Sequence, residues 1–206
     1  RQRQYRFRGY QDVRTGEILM AKTLIGSPQT ASASSSIDFT SGIDGTYKQY
    51  VFSIVNYKPV TDEQRLCFQV DTGTATTYGQ TITSTAFNAG QSQSAGWTGF
   101  SYNTGSDQAQ GTALQHISYS GESNTYAKMT VSGQLTLYDP SNSTFVKHFV
   151  SRTNVQYTNN NTDAQTYCIN MLTAGYVNTT TALTRVRFAA ESGNIFTGTF
   201  TLYGVG

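Results

Sequence analysis

The chain has 206 residues, enough to bury a sizeable core and an ordinary length for one all-β domain. Charged residues make up 13%, about half the usual share, while 14 Tyr and 11 Phe stand among abundant Thr, Ser, Gly, Asn and Gln. That balance argues against disorder and for strands, and the longest apolar runs are far too short to span a bilayer as helices.

The formal charge of +2 is unevenly spread. Residues 1–19 set five arginines against Asp12 and Glu17, a net +3, and the remainder sets nine Lys/Arg against ten Asp/Glu, a net −1. In the leading segment Arg1, Arg3, Arg6, Arg8 and Arg14 interleave with Tyr5, Phe7 and Tyr10. This segment has too little apolar surface to offset its own ordering entropy, so it reads as an extended arm. Against a partner the aromatics fill apolar pockets while the arginines meet carboxylates, the usual anchors of interfaces. Nucleic acid is the competing partner for such residues. The arm is short, the body is slightly acidic and no RNA-binding signature accompanies it, so docking on an acidic protein surface is preferred. No apolar signal region follows the arginines, and the expectation is a soluble protein made in a cytoplasm.

Residues 20–206 read as one domain. Ser27–Ser36 is a small-residue connector or a polar edge strand, and Ile37 and Phe39 alternate before a turn at 40–46. Gln49–Tyr57 places Tyr50, Phe52 and Ile54 on one face and Val51 and Val55 on the other, which predicts cover on both sides. Arg65–Val70 returns with Leu66, Phe68 and Val70 inward. From Asp71 to Asp107 the pattern weakens into long loops, with Tyr78, Phe87, Trp97, Phe100 and Tyr102 read as plugs of a core edge. Ala113–Ser118 is a short strand. The stretch 126–152 organises the chain. Met129, Val131, Gly133, Leu135 and Leu137 alternate with polar residues, a five-residue turn cluster Asp139–Ser143 follows, and Phe145–Arg152 resumes an extended run. This is a long hairpin. After the polar loop 157–163 come strands at Tyr167–Thr173, at Leu183–Phe188 and at the end. In that closing strand Phe196, Gly198, Phe200 and Leu202 share a face. Eight to ten strands and no helix predict an all-β, antiparallel two-sheet sandwich of jelly-roll type.

Catalytic chemistry is not indicated. Only His116 and His148 exist, both in predicted strands, with no nucleophile-elbow motif beside them. Asp62, Glu63, Asp71, Asp107, Glu122 and Asp139 are accounted for as turn residues, so no carboxylate pair is assigned to glycoside hydrolysis. No metal or cofactor motif occurs: CxxC, HxxxH, calcium-loop and Gly-rich phosphate patterns are all missing. Cys67 and Cys168 sit among apolar neighbours and are expected to be buried free thiols. The N-x-S/T triplets at Asn142, Asn160 and Asn178 carry little information. The chain is therefore expected to be no enzyme, and to need no cofactor or metal.

Four blocks carry a resemblance: MAKTLIGSPQTASASSSIDFTSGID (20–44), TYKQYVFSIVNYKPVTD (46–62), LYDPSNSTFVKHFVSRT (137–153) and AGYVNTTTALTRVRFAAESGNIFTGTFTLYGV (174–205). The chain resembles virion structural proteins of tailed bacteriophages of the marine, cyanophage type, above all in the closing Ser-Gly-Asn-Ile and Gly-Thr-Phe-Thr-Leu-Tyr-Gly. The resemblance implies a non-enzymatic structural component of the virion, on capsid or tail, and the reading adopted is a capsid decoration or head-fibre protein with the arm as tether. It also implies other virion proteins as partners; separately, the weakly charged surface rich in Tyr and Thr suits self-association, and a homo-oligomer is expected, a trimer favoured or a larger closed ring. The alternative is a tail-fibre receptor-binding module that uses loops 71–107 and 157–163 to hold host glycan. Related sequences begin near the Met-Ala-Lys at Met20. Residues 1–19 depart from that pattern and are either an attachment extension, a different start or a tag.

Overall fold

The alternating run after Met129 forms strand β8 (Val131–Tyr138), and its hairpin partner is β9 (Lys147–Thr158). The two pair antiparallel from Val131↔Val155 to Leu137↔Phe149. Leu135, Leu137 and Phe149 are buried as the period of two requires. The computed structural model describes residues 21–73, 78–122, 128–158 and 166–206. The arm, with Arg1, Arg3, Tyr5, Arg6, Phe7, Arg8, Tyr10 and Arg14, lies outside the described residues, as do 74–77, 123–127 and 159–165.

Ten further strands complete the fold: β1 (Lys22–Ser34), β2 (Ile37–Phe39), β3 (Gln49–Pro59), β4 (Leu66–Asp71), β5 (Ile82–Ser92), β6 (Thr98–Tyr102), β7 (Gln115–His116), β10 (Thr166–Val177), β11 (Arg185–Ala190) and β12 (Ile195–Val205). They form two antiparallel sheets. The larger runs β1-β12-β3-β8-β9-β10-β5-β6 and the smaller β2-β11-β4-β7. The inner faces meet in one core, where aromatic rings interlock edge to face: Phe39 with Phe52 at 5.1 Å, Phe52 with Phe188 at 5.4 Å and Phe68 with Phe149 at 5.0 Å. Such pairs add about 0.5–1.5 kcal/mol beyond the area they bury. On the far side of the small sheet, Arg187 grips Asp38 with two hydrogen bonds of 2.8 and 2.7 Å and lies 4.1 Å over the Tyr78 ring. The interrupted edge strand β2 is tied to β11 in this way.

Several expectations change. The weak stretch after Asp71 contains β5 and β6, long paired strands rather than loops. Their Gly, Ser and Thr content hid the alternation. Only Tyr78 of its five aromatics is buried; Trp97 is 42% and Phe100 74% exposed, so these two do not plug the core. Val51 is buried, flanked by its register partners Tyr203 and Thr136, but Val55 is exposed beside the bulge at Asn56, whose φ is 56°. Bulges in β12 around Thr197 likewise shift the phase. Ile195 points into the core, and Phe196, assigned to the inner face, is 38% exposed. The hairpin connection extends to Val146 because the Asn142 side chain accepts the Thr144 and Phe145 amides, which a ladder would otherwise use. Lys147 then opens β9, fully buried, its ammonium donating to the carbonyls of Phe145 and Thr179. Cys67 is a buried thiol, whereas Cys168 is an exposed one on the outer face of β10. Ser27–Ser36 resolves into the edge strand β1, with a break at Ser35.

Candidate binding cleft

The eight-stranded sheet is wider than its partner, and its overhang on the β10-β5-β6 side needs other cover. Near Ser84 that cover is the segment around Gln108 and Gln115, which hydrogen-bonds to the Ser84 hydroxyl. Farther along, the cover gives way to a cleft of about 270 Å³ lined by Trp97, Tyr119, Tyr157, Tyr167 and Ile169.

Local sequence explains each wall. Trp97 ends the turn between β5 and β6, which Ser92 closes: its hydroxyl accepts the Trp97 amide at 2.9 Å and its own amide donates to the Trp97 carbonyl at 2.8 Å. The indole lies over Gly90 and Gly99, which are register partners. A β-carbon on either would stand 2.6 or 2.5 Å from ring atoms, so the two glycines make the ring's seat. Tyr157 and Tyr167 face each other directly across the β9–β10 ladder. Tyr119 arrives from the segment after β7. Two of the ring pairs meet nearly at right angles, Trp97 with Tyr167 at 5.5 Å and 83° and Tyr119 with Tyr157 at 5.3 Å and 81°, while Tyr157 and Tyr167 are tilted by 38° at 6.3 Å.

A small group of charges adjoins this wall. Glu122 is 2% exposed, and one carboxylate oxygen, Oε1, has no hydrogen-bond partner. Burial pushes its carboxyl up to about 7; the Thr158 amide opposes the rise, Asp62 and Glu63 add to it, and Lys58 opposes it. Burial and the charges of Glu63 and Glu122 hold the Tyr157 phenol at about 12. Lys58 is itself buried, which lowers its ammonium against the pull of Glu122 and Asp62. Glu122 is thus no solvated turn residue. Asp71, also buried, ends β4 beside Arg185 and departs from the turn reading too.

The expected glycan loops contribute in part. Trp97 comes from 71–107, and Tyr157 starts 157–163, of which 159–163 lie outside the described residues. His116 packs near Glu191, with Nε2 3.6 Å from Oε1, and burial lowers its imidazole; His148 stands exposed on β9. Among the described residues no group of three His, Cys, Asp or Glu is placed to hold a metal ion. Tyr157 heads the polar loop 157–163 already expected to hold glycan, whereas Tyr167, inside an expected strand, and Tyr119, just past the expected strand Ala113–Ser118, carry no such expectation. One signal was available: a tyrosine on each side of the Asn-rich loop, which a hairpin brings face to face.

A second feature lies on the outer face of the large sheet. Phe87 stacks on Phe100 at 5.9 Å and packs against Tyr102 at 5.1 Å, and Leu172 and Arg152 complete a shallow groove. Compared with protein families, with characterised proteins and with solved structures, the chain shows no significant match to any.

Proposed function

We propose that the chain is a non-enzymatic structural protein of a phage particle, a jelly-roll displayed as a capsid decoration or head fibre and tethered by its N-terminal arm. Strand order is the observation that carries the reading. β1-β12-β3-β8 in one sheet and β2-β11-β4-β7 in the other follow the pattern in which a jelly-roll distributes eight strands between two sheets. In this reading β5-β6 and β9-β10 are insertions that widen the first sheet. Jelly-rolls serve viral capsids and lectins alike, so the fold narrows the function only by analogy. The four blocks that resemble virion proteins supply the rest, and the weakly charged surface suits packing in a shell.

A second reading, a receptor-binding module of a tail fibre that holds host glycan, is favoured by the aromatic cleft. The two are separated by imaging intact particles that carry labelled protein. Periodic label over the capsid is the expected outcome; label at the tail tip would replace the first reading with the second.

A further inference from the structure

We propose that the cleft walled by Trp97, Tyr119, Tyr157 and Tyr167 is an aromatic cage for an organic cation, of the quaternary ammonium class. This rests on reading the cleft as a binding site, not on where the protein is displayed.

Three observations point to a cation rather than a neutral sugar. First, the near-perpendicular pairs present ring faces from more than one direction, whereas a pyranose needs one flat platform. Ring faces carry the negative end of the aromatic quadrupole, and several of them around one point attract a positive charge. Second, among the described residues the lining is four aromatics and Ile169, with no Asn, Gln, Asp or Arg side chain to take paired sugar hydroxyls. Third, the charge beside the wall is negative. Glu63 and Glu122 both act on Tyr157, and the nearby Lys58 is outnumbered by Asp62, Glu63 and Glu122. Once the Glu122 carboxyl, held up to about 7, has lost its proton, its unpartnered oxygen adds to that field inside a protein wall, where screening is weak. The volume of about 270 Å³ admits a headgroup-sized ligand and little more.

Trp97 is the chain's one tryptophan, so its fluorescence reports the cleft directly. The full chain is titrated with choline chloride, with its neutral isostere 3,3-dimethylbutan-1-ol, and with glucose. Choline is expected to change the emission saturably, with a Kd on the order of millimolar and at least about tenfold tighter than the isostere. Tyr119→Leu should weaken choline at least about fivefold, while Tyr119→Phe, which keeps the ring face, stays within about twofold. Melting curves check that both fold. Should Tyr119→Leu fail to fold, Trp97→Leu read by calorimetry replaces it, with the same loss expected. Equal binding of choline and its isostere, or choline binding that the folded variant leaves unchanged, would overturn the cage. Glucose binding tighter than choline would overturn it too and leave the glycan reading standing. No binding by any of the three would remove both.

Discussion

At Glu122 the cost of burying a carboxylate becomes a pH dependence that can be measured. Its carboxyl rises from an ordinary 4.5 to about 7, so between those values the folded chain keeps a proton that the unfolded chain has released. The stabilising contribution is complete below pH 4.5 and is lost as pH rises through 7, by up to about 3 kcal/mol. His116 acts in the opposite sense. Burial lowers its imidazole, so its contribution is present above its ordinary 6.5 and is lost as pH falls. A Glu122→Gln variant separates the two. Urea midpoints at pH 4.5, 6 and 8 should show the variant close to the parent at the lowest pH and more stable than the parent at the highest. A variant whose curve runs parallel to the parent would show that Glu122 is not the group being titrated.

Among elements, the β8–β9 hairpin concentrates both the core and its tolerances. Leu137 is fully buried opposite Phe149, and Leu137→Ala should cost about 2–5 kcal/mol in chemical denaturation. Gly133 tests a different property of the same strand. A β-carbon there would lie 2.2 Å from the Arg152 carbonyl oxygen and 2.6 Å from the Thr153 α-carbon, backbone atoms that cannot swing aside. Gly133→Ala should therefore cost about 1–3 kcal/mol although it adds only a methyl group. A Gly133→Ala protein as stable as its parent would mean that the strands are spaced more widely than described. This hairpin was legible because an uninterrupted run of one period leaves little choice of face. β12 shows where legibility stops: its bulges exchange the exposures of Ile195 and Phe196, and nothing in the local pattern announces an extra residue.

For the whole molecule, the proposed display on a particle has two consequences. Deleting residues 1–19 should leave the sandwich folded, with an unchanged melting transition, but sharply reduce its incorporation into virions. Parental occupancy by the truncated protein would show that the arm is not the tether. Closed symmetric oligomers are the common form of self-association, and a homotrimer is expected here. The outer face of β5 and β6 gives that expectation a test, because Phe100 is exposed on a strand at the open edge of the large sheet. Phe100→Ser should shift light scattering toward monomer; a parent that is monomeric at all concentrations would refute the oligomer.

Composition and periodicity determined that this chain is made of strands, which faces of β3, β4, β8 and β11 are apolar, and that two sheets would close on those faces. These are local properties: side chains alternate along an extended backbone, and an apolar row has to be covered. The tertiary structure alone decided the rest. Which strand lies beside which depends on pairings between residues more than a hundred positions apart, such as Lys22 with Val205, and local pattern carries no information about them. β5 and β6 became strands because β10 offered them an edge, despite their weak pattern. The cleft was decided in the same way. Trp97, Tyr119, Tyr157 and Tyr167 are unremarkable aromatics at strand ends and turns in the sequence, and they become one site only where the wider sheet outruns the narrower.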